Sequence, residues 1–398
     1  MAKQHLYKGY ISTAATIIQQ YGGSIPFNDF LKKYFALHKK YGSRDRKHIT
    51  HLCYCYYRLG HAAQALETEK KVLLALFLCS NDEHEILSEL RPEWKENFTL
   101  PAEEKLKLPD YSFSPENIFP WQHELTEGID GSAFAKSHLI QPGLFLRVRP
   151  GCRKQVTEKL QYNAIAYSEI NDDCLALPNN TKIDELLVLN KEVVVQDYSS
   201  QRIAEFFQII KSDIRHQTSI WDCCAASGGK SILAHDVFRN IDLTVSDIRS
   251  SIIHNLKQRF KEAGISHYQS YELDLTKPVL KALPLGSGEG FDLIICDVPC
   301  SGSGTWGRTP EQIHFFAADK IDYYASLQKQ IVQNVLKHVK PGGYFLYITC
   351  SVFKKENEEV VDFILENADL RLMKKEVLIG YDKKADTMFA ALFKNSAN

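Results

Sequence analysis

No uninterrupted apolar run in the 398-residue chain is long enough to cross a bilayer. The amino end, Met1-Ala2-Lys3-Gln4-His5, lacks the basic-then-apolar layout of a secretory leader. The chain has neither an internal repeat nor a low-complexity tract. It also lacks an excess of one charge sign. The formal net charge is −1, which excludes a globally basic nucleic-acid binder. The ten cysteines are scattered and form no disulfide framework. The adjacent Cys223-Cys224 and the pair Cys53/Cys55 suit neither a disulfide nor a zinc site. The expectation is a cytoplasmic chain without a membrane span, its thiols free and no metal called for.

What is present is enough length for two or three domains and enough apolar residues, 44 %, to bury a core in each. The balanced net charge hides an asymmetry. Residues 1–60 carry roughly +8 and residues 61–130 roughly −9. A basic amino end is a footprint nucleic acid could use, although a solvated helical face carries charge equally well.

Residues 1–110 read as helical. Ile11, Ala14, Ala15, Ile17 and Ile18 recur at helical spacing, and Gly22-Gly23 stops the run. Asn28 is placed to cap a second helix carrying Phe30, Leu31, Tyr34 and Phe35. Ser43-Arg44-Asp45-Arg46 opens a third, with Ile49, Leu52, Cys53, Tyr56 and Tyr57 on its apolar side, and Val72–Leu78 continues the bundle. Pro101, Pro109 and Pro115 mark a connection. Residues 116–200 form a small α/β module. It has a strand over Leu144–Pro150 that Pro-Gly ends, strands at Cys174–Leu177 and Val193–Val195, and a helix at Arg153–Tyr162. Residues 201–398 alternate strands with helical stretches, the pattern of a doubly wound, Rossmann-like parallel sheet. Its strands are Ser219–Cys223, Leu243–Ser246, Tyr268–Leu273, Phe291–Cys296 and Tyr344–Ile348. Leu370–Leu378 and Met388–Phe393 are left to close it with an antiparallel edge.

Five strand ends carry chemistry. Asp222-Cys223-Cys224-Ala225-Ala226-Ser227-Gly228-Gly229-Lys230-Ser231 is a strand end, a small-residue turn and a helix start. Such a turn lets backbone approach a ligand, and the helix offers free amides. A phosphate loop would need glycine at position 224, which is Cys, and a dinucleotide fingerprint would need Gly-x-Gly-x-x-Gly. About twenty positions on, the next strand ends at Asp247, placed for ribose hydroxyls. After the third strand comes Asp274, placed for an adenine amino group. The fourth and fifth strands run into Asp297-Val298-Pro299-Cys300-Ser301-Gly302-Ser303-Gly304 and Thr349-Cys350-Ser351. Two thiols just beyond the carboxyl ends of parallel strands can converge on one ligand.

Asp222 to Lys230, Asp297 to Gly304, and Thr349 to Ser351 with Glu356-Asn357-Glu358 together resemble the Sun/Fmu-type (RsmB/NOP) RNA cytosine-carbon-5 methyltransferases. Val195 to Gln201 is similar to that family's entry into its catalytic domain, and the similarity runs over roughly residues 140–394. The basic helical start looks more loosely like the NusB-like RNA-binding domain of some members. One departure is Ser227, where the family usually has proline.

The resemblance implies transfer of a methyl group from S-adenosylmethionine to carbon-5 of a cytosine in RNA, with ribosomal RNA favoured and a monomer acting. Cys350 is the implied nucleophile that adds to carbon-6, and Cys300 serves product release. The residues alone leave the order of the two thiols open, since DNA carbon-5 methyltransferases use the Pro-Cys position as nucleophile. Asp297 would protonate ring nitrogen-3, supported by Lys230. Ala225, Ala226, Ser227, Gly228, Gly229, Lys230, Asp247, Asp274 and Asp297 are the expected cofactor contacts. Arg44, Arg46, Lys47 and Arg308 are the expected RNA contacts. Rival readings are an RNA-binding ribosome-assembly factor of weak or no activity, and a transfer-RNA or DNA cytosine methyltransferase.

Overall fold

Phe291–Asp297 is buried at every position but its last, as a strand covered on both faces must be. In the computed structural model, which describes residues 2–108, 113–214, 217–278 and 290–396, it lies near the middle of a seven-stranded sheet. Pro109 and the end of the helical span at 110 lie outside the described residues.

Among the described residues two sheets are present. The smaller is formed by β1 (Leu144–Val148), β2 (Ser168–Glu169), β3 (Cys174–Leu177) and β4 (Val193–Val195), in the order β2-β3-β1-β4. All its pairings are antiparallel. Val156 and Leu160 of the helix Arg153–Tyr162 pack in its core. The larger contains β5 (Thr218–Asp222), β6 (Ile241–Asp247), β7 (Gln269–Glu272), β8 (Phe291–Asp297), β9 (Val339–Thr349), β10 (Leu370–Leu378) and β11 (Met388–Asn395). Its order is β10-β11-β9-β8-β5-β6-β7. β5 to β9 pair in parallel, and β11 and β10 add the antiparallel edge. The fold is the expected Rossmann-like α/β sheet. Strand order reverses between β5 and β8, which is where an open sheet of this kind leaves a ligand crevice.

Alternation along β5 explains the two layers. Ile220 faces a core built with Phe206, Phe207 and Ile232, whereas Trp221 faces one built with Ile331, Val332 and Val361. The helices Ile203–Asp213 and Gly229–Phe238 thus cover one face, and Asp319–Val335 and Glu358–Asn367 the other. The indole nitrogen of Trp221 donates to Ser246 Oγ at 3.0 Å, so its burial leaves no polar group stranded.

The chain divides into two compact units. One comprises Met1–Leu125, Asp130–Gln141 and Thr305–Ala318, and the other Thr126–Ile129, Pro142–Gly304 and Asp319–Asn398. The first is helical, with Ala2–Gln20, Phe27–Leu37, Ser43–Arg58 and Thr68–Cys79 as its longer helices. Asn28 does not cap the second helix. Pro26 occupies that position, and its carbonyl accepts from the amides of Asp29 and Phe30, because proline's fixed φ starts the turn two residues earlier. Among the described residues no helix is long and apolar enough to cross a membrane.

Candidate active site

The turn after β5 owes its shape to two left-handed residues, Ala226 at φ 45° and Gly228 at φ 81°. A Cβ at Gly228 would lie 2.5 Å from the Phe260 ring, so glycine is needed there on both counts. Cys223 N donates to Ile295 O and Ala225 N to Ser246 O, which stitches the turn to β8 and β6. Ser227 Oγ accepts from an Arg259 guanidinium nitrogen at 2.8 Å, and its carbonyl accepts from the same nitrogen at 3.2 Å. A side-chain clamp therefore holds the position where a ring would have restricted φ.

A cavity of about 660 Å³ opens beside this turn. Ala226, Asp247, Asp274, Asp297, Cys300 and Cys350 all line it. Ala225, Ser227, Gly228, Gly229 and Lys230 are not among its lining residues. They shape the turn or, for Lys230, act one residue removed. Lys230 Nζ sits 2.8 Å from Asp297 Oδ2. Burial pulls the Lys230 ammonium down, but the Asp297 carboxylate outweighs it and its pKa is raised.

Asp247 accepts from the Ala226 amide at 3.2 Å, from the Arg249 amide at 3.0 Å and from both ends of the Arg249 guanidinium. Four donors use the capacity of one carboxylate. A hydroxyl can reach Asp247 only where Arg249, whose side chain is 58 % exposed, gives way. Asp274 takes bonds from Thr276 and pairs with Lys277. Asp222 is fully buried. Ser231 donates to its Oδ2 at 2.6 Å, while Oδ1 has no partner, and burial pushes the carboxyl up to about 7.

This donor set fits S-adenosylmethionine. Two carboxylates at successive strand ends meet hydroxyl and amino donors. Ile248 and Leu275 supply apolar walls beside them. The buried Asp222 Oδ1 leaves an acceptor under the turn. Among the described residues no group of three or more His, Cys, Asp or Glu is placed to hold a metal ion.

At the other end of the cavity, Cys300 Sγ and Cys350 Sγ are 3.2 Å apart. The Cys350 sulfur and burial push the Cys300 thiol well up. Beneath them lies a residue that sequence reasoning used only as a landmark. Glu356, fully buried, accepts from the Ser301 amide at 2.8 Å, from Ser351 Oγ at 2.8 Å and from Gln328 Nε2 at 3.0 Å. One carboxylate thus ties together the residues following both cysteines. Asn357 holds the second loop as well, accepting from Thr349 Oγ1 and donating to Ser351 O. The signal for both was the Glu-Asn-Glu run after Cys350. Gly304 N donates to Cys350 O, and a Cβ on Gly304 would fall 1.9 Å from Thr387 O, so only glycine allows this approach.

The expected RNA contacts fall in the helical unit. Arg44 pairs with Glu85 at 3.1 Å. Arg46 donates to Tyr41 O and lies over the Phe35 ring. Lys47 is exposed, and Arg308 is half-buried in the segment Thr305–Ala318.

Residues 209–392 match the family model described as 16S rRNA methyltransferase RsmB/F. Over these residues the chain is similar to that family. A probable ribosomal RNA small subunit methyltransferase B from Bacillus subtilis is 29 % identical over 238 residues, covering 58 % of this chain and 51 % of that protein. A 28S rRNA (cytosine-C(5))-methyltransferase from Mus musculus is 28 % identical over 192 residues, covering 46 % and 23 %. A tRNA (cytosine(49)-C(5))-methyltransferase from Pyrococcus abyssi is 39 % identical over 84 residues, covering 21 % and 27 %. The chain spans about half the length of the first curated relatives it matches. Among solved structures, PH0851 superposes with a TM-score of 0.67 at 19 % identity over 97 % of this chain and 98 % of that one. A methyltransferase homolog from Pyrococcus horikoshii gives 0.56 at 19 %, over 69 % and 93 %. At these identities the likeness is one of fold.

Proposed function

We propose that this chain transfers a methyl group from S-adenosylmethionine to carbon-5 of a cytosine in RNA, with ribosomal RNA the favoured substrate. The observation that carries the reading is the pair of sulfurs 3.2 Å apart in the cavity that Asp247 and Asp274 also line. Carbon-5 of cytosine is too weak a nucleophile by itself. Addition of the Cys350 thiolate to carbon-6 converts the ring to an enamine and makes carbon-5 reactive. The Lys230–Asp297 pair is assigned to ring nitrogen-3, where a proton must arrive as charge builds. The cofactor would supply the methyl group. The release step is assigned to Cys300: its thiolate would take the proton from carbon-5, the C–H electron pair would re-form the carbon-5–carbon-6 double bond, and the sulfur–carbon-6 bond would break with Cys350 leaving as thiolate. Such a pocket requires a flipped or single-stranded base.

In this reading residues 1–110 grip RNA, residues 116–200 form a module ahead of the catalytic domain, and residues 201–398 carry out the reaction, in a cytoplasmic monomer. Transfer RNA is the second substrate class, because the Pyrococcus abyssi relative is named for it. The Arg259 bond to Ser227 supports an ordered cofactor turn, which favours the enzyme over the reading of an inactive assembly factor. Bisulfite sequencing of total RNA from a deletion strain and its parent tests the proposal. One cytosine should lose its protection in the deletion strain. Identical maps would overturn it.

A further inference from the structure

Tyr323 combines two properties that do not usually coincide: it lines the cavity that holds both thiols, and it is 55 % exposed. It stands in the first turns of the helix Asp319–Val335. Lys320 Nζ lies 5.0 Å from its ring centroid, and the Tyr324 ring meets it edge-on at 5.2 Å and 76°. Asp322 beside it is neutralised by Lys355 at 2.7 Å. An aromatic face at a cavity mouth with an exposed ammonium next to it matches a nucleotide: base on ring, phosphate on cation.

The helix also shows which end of the cavity Tyr323 serves. Asn334 Nδ2 donates to Leu275 O, on the side of Asp274. Gln328 Nε2 donates to Pro299 O, next to Cys300. Tyr323 lies about 7.5 Å further along the axis than Gln328, and about 16 Å from Asn334. Progress from Leu275 to Pro299 therefore puts Tyr323 beyond the Pro299 end of the helix's contacts, away from Leu275 and the neighbouring Asp274.

We propose that Tyr323 and Lys320 form a subsite for a single-stranded nucleotide adjoining the target cytosine, with the base stacked on the tyrosine ring and its phosphate on the lysine. This rests on the RNA reading above and adds the seat of a neighbouring nucleotide. The test uses polycytidylate and the full chain. The indole of Tyr323→Trp should be quenched by polycytidylate and not by S-adenosylhomocysteine. Tyr323→Ala should bind polycytidylate roughly tenfold more weakly, Tyr323→Phe as the parent does, and Lys320→Ala with a salt slope shallower by about 0.7. Adenosylhomocysteine affinity should be unchanged in all of them. Equal polycytidylate affinity in Tyr323→Ala would overturn the subsite. So would quenching by adenosylhomocysteine, which would put the ring on the cofactor. Neither readout needs turnover, so failure of the subsite is separable from failure of the methylation reading, which bisulfite mapping decides.

Discussion

The sulfurs of Cys300 and Cys350, fifty residues apart in the chain, lie 3.2 Å from one another. β8 and β9 are parallel neighbours, and Asp297 pairs with Ile348, so the two strands end side by side and their following loops must meet. A trivalent arsenical should bridge the two sulfurs in the native protein, and Cys300→Ser should abolish the bridge. Thiol counting before and after labelling checks this.

The two thiols should separate on RNA. Cys350→Ala has no nucleophile and should neither methylate nor trap RNA. Cys300→Ala should attack, transfer methyl and stall as a covalent protein–RNA adduct visible on a denaturing gel. An adduct in Cys350→Ala alone would reverse the assignment.

Asp247→Ala should weaken adenosylhomocysteine binding by roughly ten- to a hundredfold, the loss of hydrogen bonds to a charged group. Arg249→Ala should bind at least as tightly as the parent, since Arg249 competes for the same carboxylate. Isothermal titration of both variants checks the pair of outcomes.

Asp236 receives Arg147 at 2.6 Å and Arg149 at 2.5 Å, with both partners nearly buried. Burial would raise its pKa, but the nearby His235 ring and the bonds from Arg149 and Arg147 prevail and hold it well below the usual carboxylate range. A depressed folded-state pKa contributes stability that is present above about pH 4 and lost as pH falls through the lowered value. Asp236→Asn should cost about 3–5 kcal/mol at neutral pH and flatten the acid limb of the stability curve. Urea unfolding across pH measures both effects.

Glu356→Ala would leave the Ser301 amide without its acceptor and Gln328 Nε2 with Pro299 O alone. About 1–3 kcal/mol of stability should be lost for each group left buried and unpaired. The arsenical bridge should also form more slowly as the two loops separate. Adenosylhomocysteine affinity, which depends on the β6 and β7 ends, should stay near that of the parent.

Reversing Arg44, Arg46 and Lys47 to glutamate should lower RNA affinity and flatten its dependence on salt, with adenosylhomocysteine binding unchanged. An unaltered salt slope would assign the basic amino end to a solvated face.

Several parts of this molecule were legible along the chain because their signals are local. β8, the second half of β9 and most of β11 are apolar runs, whereas β7 is mostly polar and β10 is interrupted by charges. β9 begins at Val339 rather than Tyr344, because Phe291 pairs with Val339 across an irregularity that no apolar run marks. The helix Ile203–Asp213 and the two-residue β2 were missed, the latter too short and exposed to leave a pattern. Asn28 was read as a cap from its residue type, whereas Pro26 occupied the place by its backbone geometry.

The sequence by itself determined the doubly wound sheet, the glycine turn after β5 and the two strand-end thiols, since each depends on neighbours within a few residues. Only the tertiary structure decided which groups share a charge or a carboxylate. It put Lys230 on Asp297, Arg249 on Asp247, Arg259 on Ser227, and Glu356 under both cysteine loops. Those partners come from different strands and helices, and their distances follow from how the sheet is ordered and covered. A hydrogen bond is made or lost within a few tenths of an ångström, a precision that residue spacing does not carry.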